Sequence, residues 1–136
     1  MGKLLGIDYG AKRTGIAMTD SMQIIASGLT TVETHKLDDF ISNIVLKEDI
    51  ECFVVGDPKN LDGTYTDNTR DVNSFVKKLQ KLYPGILLRQ IDERFTSKIA
   101  KQSILASGIK KQARKNKALV DEVSATIILQ SYLDFR

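Results

Sequence analysis

The order of the predicted strands and helices is the feature that most constrains how this chain of 136 residues folds. Residues 3–8, 14–19 and 23–32 form short apolar or β-branched runs, and a turn at Tyr9 and Gly10 separates the first two. Runs of this kind with short connections predict three consecutive strands that pair as a meander. From Leu37 onward the apolar residues change to helical spacing, and helices then alternate with strands.

The second half of the chain completes the predicted architecture. Helices are expected over residues 37–45, 72–83, 96–107 and 119–133, with strands over 52–55 and 86–91 between them. A meander followed by strand–helix alternation predicts an α/β fold in three layers, with a mixed sheet of about five strands and helices on both faces. The length is that of one domain, so residues 1–136 are expected to form a single unit.

Composition excludes several classes of protein. The chain is 42% hydrophobic and 27% charged, which is ordinary for a globular protein and unlike a disordered or collagen-like chain. No apolar run approaches the roughly 18–20 residues of a membrane span, and the N-terminus lacks a signal-peptide core. Cys52 is the only cysteine and forms no internal disulfide, which fits a reducing compartment. A cytoplasmic protein without a membrane partner is therefore expected.

Positive charge is concentrated in one segment. Residues 94–120 carry eight basic side chains and no acidic one, while the remaining 12 basic and 17 acidic residues leave the rest of the chain at −5. The eight are Arg94, Lys98, Lys101, Lys110, Lys111, Arg114, Lys115 and Lys117. Clustered Lys and Arg residues exchange condensed counterions for phosphate contacts, so the segment indicates a nucleic-acid partner. A solvated lysine-rich loop is the alternative.

Three acidic residues stand beside apolar segments. Asp8 ends the first strand, Glu93 follows the strand over 86–91, and Asp121 lies in the first turn of the last helix. Taken singly, each could be an ordinary solvent-facing acid. Asp121 would also complement the helix dipole. Together they predict an oxygen-rich site for Mg²⁺ or Mn²⁺, because hard divalent cations prefer carboxylate ligands. Such a site supports metal-assisted phosphodiester hydrolysis without a protein nucleophile.

Other candidate groups lie in or near the first turn. Gly10 and Gly15 are expected to let the backbone approach a ligand, and Lys12 and Arg13 offer positive charge to phosphate. A tight turn with solvated basic residues is the alternative. His35, the only histidine, is expected at the surface rather than as a catalytic base.

Four motifs carry a resemblance to a known family. They are Gly6-Ile7-Asp8-Tyr9-Gly10-x-Lys12-Arg13-x-Gly15-x-Ala17, Val54-Val55-Gly56-x-Pro58 with Asp62-Gly63-Thr64, Asp92-Glu93-Arg94-Phe95-Thr96, and Asp121-x-x-x-Ala125-x-x-x-Leu129-Gln130. In this order they resemble the YqgF-type family of bacterial proteins, described as pre-16S rRNA nucleases or Holliday-junction-resolvase-like proteins. The resemblance runs from Gly6 to Tyr132. Asp57 departs from it, since an apolar residue is usual there; it is interpreted as a strand-end cap or an extra acid.

The resemblance implies a ribonuclease-H-like fold and a divalent-metal nuclease that trims the 5′ end of the 16S rRNA precursor. Asp8, Glu93 and Asp121 would be the catalytic, metal-binding acids, and Lys12, Arg13 and Arg94 would face phosphates. The basic residues Lys110, Lys111, Arg114, Lys115 and Lys117 are expected to add further nucleic-acid contacts.

Three alternatives stay open at this point. The first is a Holliday-junction-resolvase-like nuclease acting on branched DNA, which would work as a dimer; the chain itself is expected to be a monomer or weak dimer. The second is a nucleic-acid-binding regulator whose acids are vestigial. The third is an actin-like ATPase or sugar kinase, whose phosphate-binding hairpin the Asp-x-Gly turn resembles, although those proteins need a second domain.

Overall fold

A five-stranded mixed sheet forms the centre of the protein. The computed structural model describes residues 2–58, 67–92 and 117–136. Its elements are β1 (Lys3–Asp8), β2 (Arg13–Thr19), β3 (Ala26–Glu33), a 3-10 turn (Thr34–Lys36), α1 (Leu37–Lys47), β4 (Ile50–Asp57), α2 (Asp67–Leu82), β5 (Leu87–Asp92) and α3 (Lys117–Phe135). The predicted helix over residues 96–107 lies outside the described residues.

The strand order combines the predicted meander with a parallel half. The order is β3-β2-β1-β4-β5, with β1–β2 and β2–β3 antiparallel and β1–β4 and β4–β5 parallel. Because β1, β4 and β5 run in the same direction, their carboxyl ends lie at one edge of the sheet. This edge carries Asp8, Asp57 and Asp92 at the three strand ends.

Each face of the sheet has its own apolar core, which confirms the three-layer arrangement. On one face Leu5, Ile7, Phe53 and Val55 pack against side chains of α1 and α2. On the other face Leu4, Ala17, Cys52 and Val54 pack against α3. The alternation of side chains along each strand separates the two sets. Burial raises the pKa of the Cys52 thiol, so this cysteine is a packing residue. Within the described ranges, no helix is long and apolar enough to span a membrane.

The third strand begins later than the sequence predicts. Residues 23–25 were expected in β3, but the strand starts at Ala26. The carboxylate of Asp20 accepts hydrogen bonds from the backbone N–H groups of Ile24 and Ile25, at 3.0 Å each. These bonds fold the segment into a turn and lower the pKa of Asp20. The β-branched residues of this segment are therefore on an exposed turn instead of in the sheet.

The carboxyl end of α3 is tied to this turn. Gln23 has a positive φ of 55° and is buried, and its side-chain amide donates to the Gly2 carbonyl at 2.7 Å and also to the Glu51 carboxylate. Arg136 donates from Nη1 to Oε1 of Gln23 at 2.6 Å. The chain's last residue is thereby fixed to its second residue through one glutamine side chain.

α3 lies unusually close to the sheet at two positions along its length. A Cβ atom added at Gly15 of β2 would be 2.0 Å from the backbone oxygen of Asp121, and one at Gly6 of β1 would be 2.8 Å from Cβ of Leu129. Real side chains do not approach so closely, so the helix occupies this position only because both strand residues lack a Cβ.

Gly15→Ala is expected to lower the free energy of unfolding by about 1–3 kcal/mol, because the added methyl group meets helix backbone that cannot rotate away. Gly85→Ala is the matched control, since a Cβ there meets no atom within 4 Å. The free energy of unfolding of this control should not fall, and it should rise by up to about 1 kcal/mol because the unfolded chain has less conformational freedom. Urea denaturation measures both, and equal effects would contradict the steric explanation.

Candidate functional site

Asp8 and Asp121 both lie next to Gly15, on the α3 side of the sheet. Asp8 is the register partner of Gly15 in the antiparallel pair β1–β2, and directly opposed residues of such a pair point to the same face. The Cβ direction of Gly15 leads to the backbone of Asp121, so this face is the one covered by α3. Two of the three predicted acids are therefore brought together by the first turns of α3. Both are half-buried.

Arg13 holds the carboxylate of Asp121. Its Nε atom donates to Oδ2 of Asp121 at 3.1 Å, and the two side chains are 37% and 26% exposed. Arg13 stands two residues before Gly15 on β2, so it shares the α3 side of the sheet with Asp8. The ion pair orients one acid of the pair while leaving part of the guanidinium accessible. Arg13 was expected to face phosphate, and in this structure its direct partner is an acid of the site.

The loop between β1 and β2 is held by hydrogen bonds that its backbone carbonyl groups accept. Oγ1 of Thr34 donates to the Gly10 carbonyl at 2.6 Å, and its backbone N–H donates to the Lys12 carbonyl at 3.0 Å. Nδ2 of Asn68 donates to the Tyr9 carbonyl at 3.1 Å. Thr34 and Asn68 thus fix the loop that carries exposed Lys12. Sequence reasoning missed both, because each is distant in the chain and neither lies in a motif.

Gly10 and Gly15 both permit close approaches within the protein. A Cβ at Gly10 would lie 2.3 Å from the Arg13 carbonyl, so this glycine permits the tight return of the chain. Gly15 permits the approach of α3. That they also bring the backbone near a ligand stays a prediction.

Asp57 and Asp92 lie at the same edge as Asp8 but belong to the other face. They are register partners at the ends of β4 and β5. Phe53 and Val55, which precede Asp57 at two-residue spacing, belong to the core of α1 and α2. The alternation therefore separates Asp57 from Asp8 and Asp121, which favours a strand-end role over that of an extra acid.

The described residues do not include the complete predicted metal set. Glu93 follows the last residue of β5 and lies outside them, and among the residues that are described there is no group of three His, Cys, Asp or Glu side chains suited to a metal ion. The carboxylates of Asp8 and Asp121 supply oxygen donors, which fit Mg²⁺ or Mn²⁺ better than softer metals. The metal set as a whole stays a prediction.

Most of the basic residues predicted to contact nucleic acid also lie outside the described residues. Arg94, Lys110, Lys111, Arg114 and Lys115 lie outside the described residues, and Lys117 is the first residue of α3. His35 is 72% exposed and lies 3.4 Å from a carboxylate oxygen of Glu33, which agrees with the surface position expected for it.

This chain has the ribonuclease-H-like fold. Its structure matches that of a chain described as "T. thermophilus RuvC in complex with Holliday junction substrate", with a TM-score of 0.61. The match covers 99% of this chain and 96% of that one at 12% sequence identity, a level at which the likeness concerns the fold alone. The fold class predicted from the sequence is confirmed.

The chain belongs to the RuvX family. The model of this family, described as "Holliday junction resolvase", matches residues 2–135. A relative from Phocaeicola vulgatus is 55% identical over 134 residues, covering 98% of this chain and 96% of its own length. One from Bacteroides fragilis is 52% identical over 134 residues, covering 98% and 97%. Both are named "Putative pre-16S rRNA nuclease". The family resemblance read from the four motifs is confirmed.

Arg13→Gln tests whether the ion pair with Asp121 serves the site or only stability. We expect nucleic-acid cleavage to fall at least about ten-fold, because the variant leaves Asp121 without its orienting donor. The free energy of unfolding should change by no more than about 1 kcal/mol, as for other partly exposed pairs.

The matched control is Lys3→Gln, which breaks a pair with Glu48 of 2.8 Å and comparable exposure at the opposite end of β1. Its stability should change by a similar amount and its cleavage rate should not change. A comparable loss of cleavage in both variants would show that Arg13 acts through stability alone.

Proposed function

We propose that the protein is a divalent-metal-dependent nuclease that matures the 5′ end of the 16S rRNA precursor in the cytoplasm. The observation that carries this proposal is that Asp8 and Asp121 both lie next to Gly15, at the carboxyl edge of a ribonuclease-H-like sheet. Relatives at 52% and 55% identity are named for pre-16S rRNA, which supports RNA as the substrate. The family description supports hydrolysis of a phosphodiester bond.

The proposed catalytic acids are Asp8, Asp121 and Glu93, which would hold Mg²⁺ or Mn²⁺. When bound, the metal supplies an activated water and stabilises the leaving oxygen. The chain supplies the positions of the ligands: β1 fixes Asp8 at a strand end, and Arg13 keeps Oδ2 of Asp121 in one orientation. Half-burial of both acids limits their motion, so little reorganisation is needed when a substrate phosphate arrives.

Phosphate binding is proposed for Lys12 and for the basic residues of the segment 94–120. Lys12 is exposed on a loop whose carbonyls are fixed by Thr34 and Asn68, so its charge is presented from a rigid support. Arg94 and the residues Lys110, Lys111, Arg114, Lys115 and Lys117 would contact the flanking backbone. Affinity should accordingly fall as salt rises, because each phosphate contact releases counterions.

A second candidate substrate is branched DNA. The family description and the fold shared with RuvC favour it specifically. A junction resolvase cuts two symmetric strands as a dimer, whereas trimming one RNA end needs a single copy. Sedimentation of the protein on each substrate therefore separates the two proposals, and we expect a monomer on the RNA.

Asp8→Asn should reduce cleavage of a precursor 16S rRNA fragment by more than about a hundred-fold, because it removes a direct metal ligand, and ligand losses exceed the 10–100-fold effects of outer positions. RNA binding should stay within about two-fold. Wild type and variant are compared on the RNA and on a four-way DNA junction, with Mg²⁺, with Mn²⁺ and with a chelator, which should abolish cleavage.

The matched control is Asp57→Asn, an equivalent change at a neighbouring strand end on the other face of the sheet. This variant should cleave like wild type. Undiminished cleavage by Asp8→Asn would refute the proposed site. Binding without cleavage of either substrate by wild type would instead favour a non-catalytic regulator.

A further inference from the structure

A shallow pocket opens beside the end of β1, on the face of the sheet opposite α3. Its volume is about 250 Å³, and Tyr9 and Phe75 contribute to its lining together with side chains of α1 and α2. This volume lies just below the range of about 300–1,000 Å³ typical of small-molecule sites, so the pocket suits a single ring system rather than a whole nucleotide. Tyr9 follows Asp8 directly in the chain, so the pocket and Asp8 share one strand end on opposite faces of the sheet.

One part of the lining is aromatic and already ordered. The rings of Tyr9 and Phe75 stack with their centroids 4.7 Å apart and their planes 25° apart. Phe75 is 6% exposed and belongs to the core between the sheet and the helices. The Tyr9 ring is therefore held in place by packing. When a planar ligand contacts it, the protein loses little side-chain entropy.

The rest of the lining is rich in acceptors. Asp71 and Ser74 of α2, Thr34, and Asp38 of α1 line the pocket, together with one basic residue, Lys78 of α2. Asp38 forms an ion pair with Lys78, which links α1 to α2 across the pocket. Burial, together with the charges of Asp71 and Asp38, raises the pKa of the Tyr9 phenol. Because Lys78 is paired with Asp38, the carboxylate of Asp71 leaves the lining with an excess of negative charge, which disfavours a phosphate and favours a ring that carries N–H donors.

We propose that this pocket binds an unpaired guanine base of the substrate strand, stacked against Tyr9 and hydrogen-bonded to Asp71. Guanine offers the ring N1–H and the exocyclic amino group side by side, and one carboxylate can accept from both. Uracil offers one N–H between two carbonyl oxygens, which the carboxylates repel. Aromatic stacking combined with hydrogen bonds to a base edge is how proteins read unpaired RNA. The inference rests on the proposed function, since it concerns the same substrate strand.

Position gives the pocket a consequence for specificity. Cα atoms of consecutive residues are about 3.8 Å apart, so Asp8 and Tyr9 divide one strand end between the two faces of the sheet. A strand whose phosphate lies at Asp8 can place a neighbouring base in the pocket. A bound guanine would then set which phosphate reaches the acids.

The test measures binding in the absence of divalent cations, where no cleavage occurs. Short single-stranded RNAs carry one guanine, inosine or uridine at a fixed position within a uridine tract, and fluorescence anisotropy gives each affinity. Wild type should bind the guanine RNA at least about five-fold more tightly than the all-uridine RNA. Inosine lacks the exocyclic amino group and should fall between them. Asp71→Asn should remove the preference.

The matched control is Asp39→Asn, which makes the same charge change at an exposed position of α1 outside the pocket. This variant should keep the full guanine preference. Equal wild-type affinities for guanine and uridine RNAs, or an unchanged preference in Asp71→Asn, would overturn the proposal. Displacement of the guanine RNA by free guanosine monophosphate at equal concentration would also overturn it, since the site would then recognise a free nucleotide instead of a strand.

The outcome is independent of the nuclease experiment. A guanine preference without any cleavage would count against the proposed function alone. Cleavage with no guanine preference would count against the pocket alone.

Discussion

The contact between the first turns of α3 and the glycine of β2 is the constraint on which the arrangement of this edge depends. Only at a position without a Cβ can helix backbone approach a strand so closely. The approach carries Asp121 to the strand position opposite Asp8. A side chain of any size at Gly15 would push the helix outward and separate the two acids. The close approach of α3 to Gly15 therefore serves both the packing of the helix and the proposed chemistry.

Polar contacts fix α3 at both of its ends. Near its start, Arg13 binds Asp121; at its carboxyl end, Arg136 binds the buried Gln23. Between them Ala125, Ile128 and Leu129 are buried against the sheet. Apolar packing alone permits a helix to slide or rotate by small amounts, whereas directional hydrogen bonds at both ends specify one position. A site assembled between a sheet and a helix needs this precision, because misplacement by about 1 Å impairs catalysis.

Much of the fold could be predicted from local patterns, because these reflect local physics. The stripe Val72, Phe75, Val76 and Leu79 is a buried helix face, as its spacing predicts. The start of β3 was predicted wrongly, because β-branched residues favour a strand while the carboxylate of Asp20 binds the backbone of the same segment more strongly. In this segment a specific hydrogen-bonded turn outweighs the strand propensity of the residues.

The candidate site could be predicted only in part, for the same reason. Asp8 and Asp121 were identified from their position beside apolar segments, and the structure brings them together. That Arg13 binds Asp121, and that Thr34 and Asn68 hold the loop between β1 and β2, depends on contacts between residues far apart in the chain. No spacing within one segment encodes such contacts.

The chain order of the site has a consequence for its synthesis. β1, β2 and β3 precede α3 in the chain, so they leave the ribosome before the helix that brings Asp121 to Asp8. Domains acquire structure from the N-terminus during translation, so a nascent chain can form its meander but not the pair of acids. The pair of acids, and the proposed activity with it, therefore requires a chain that has been made at least as far as α3.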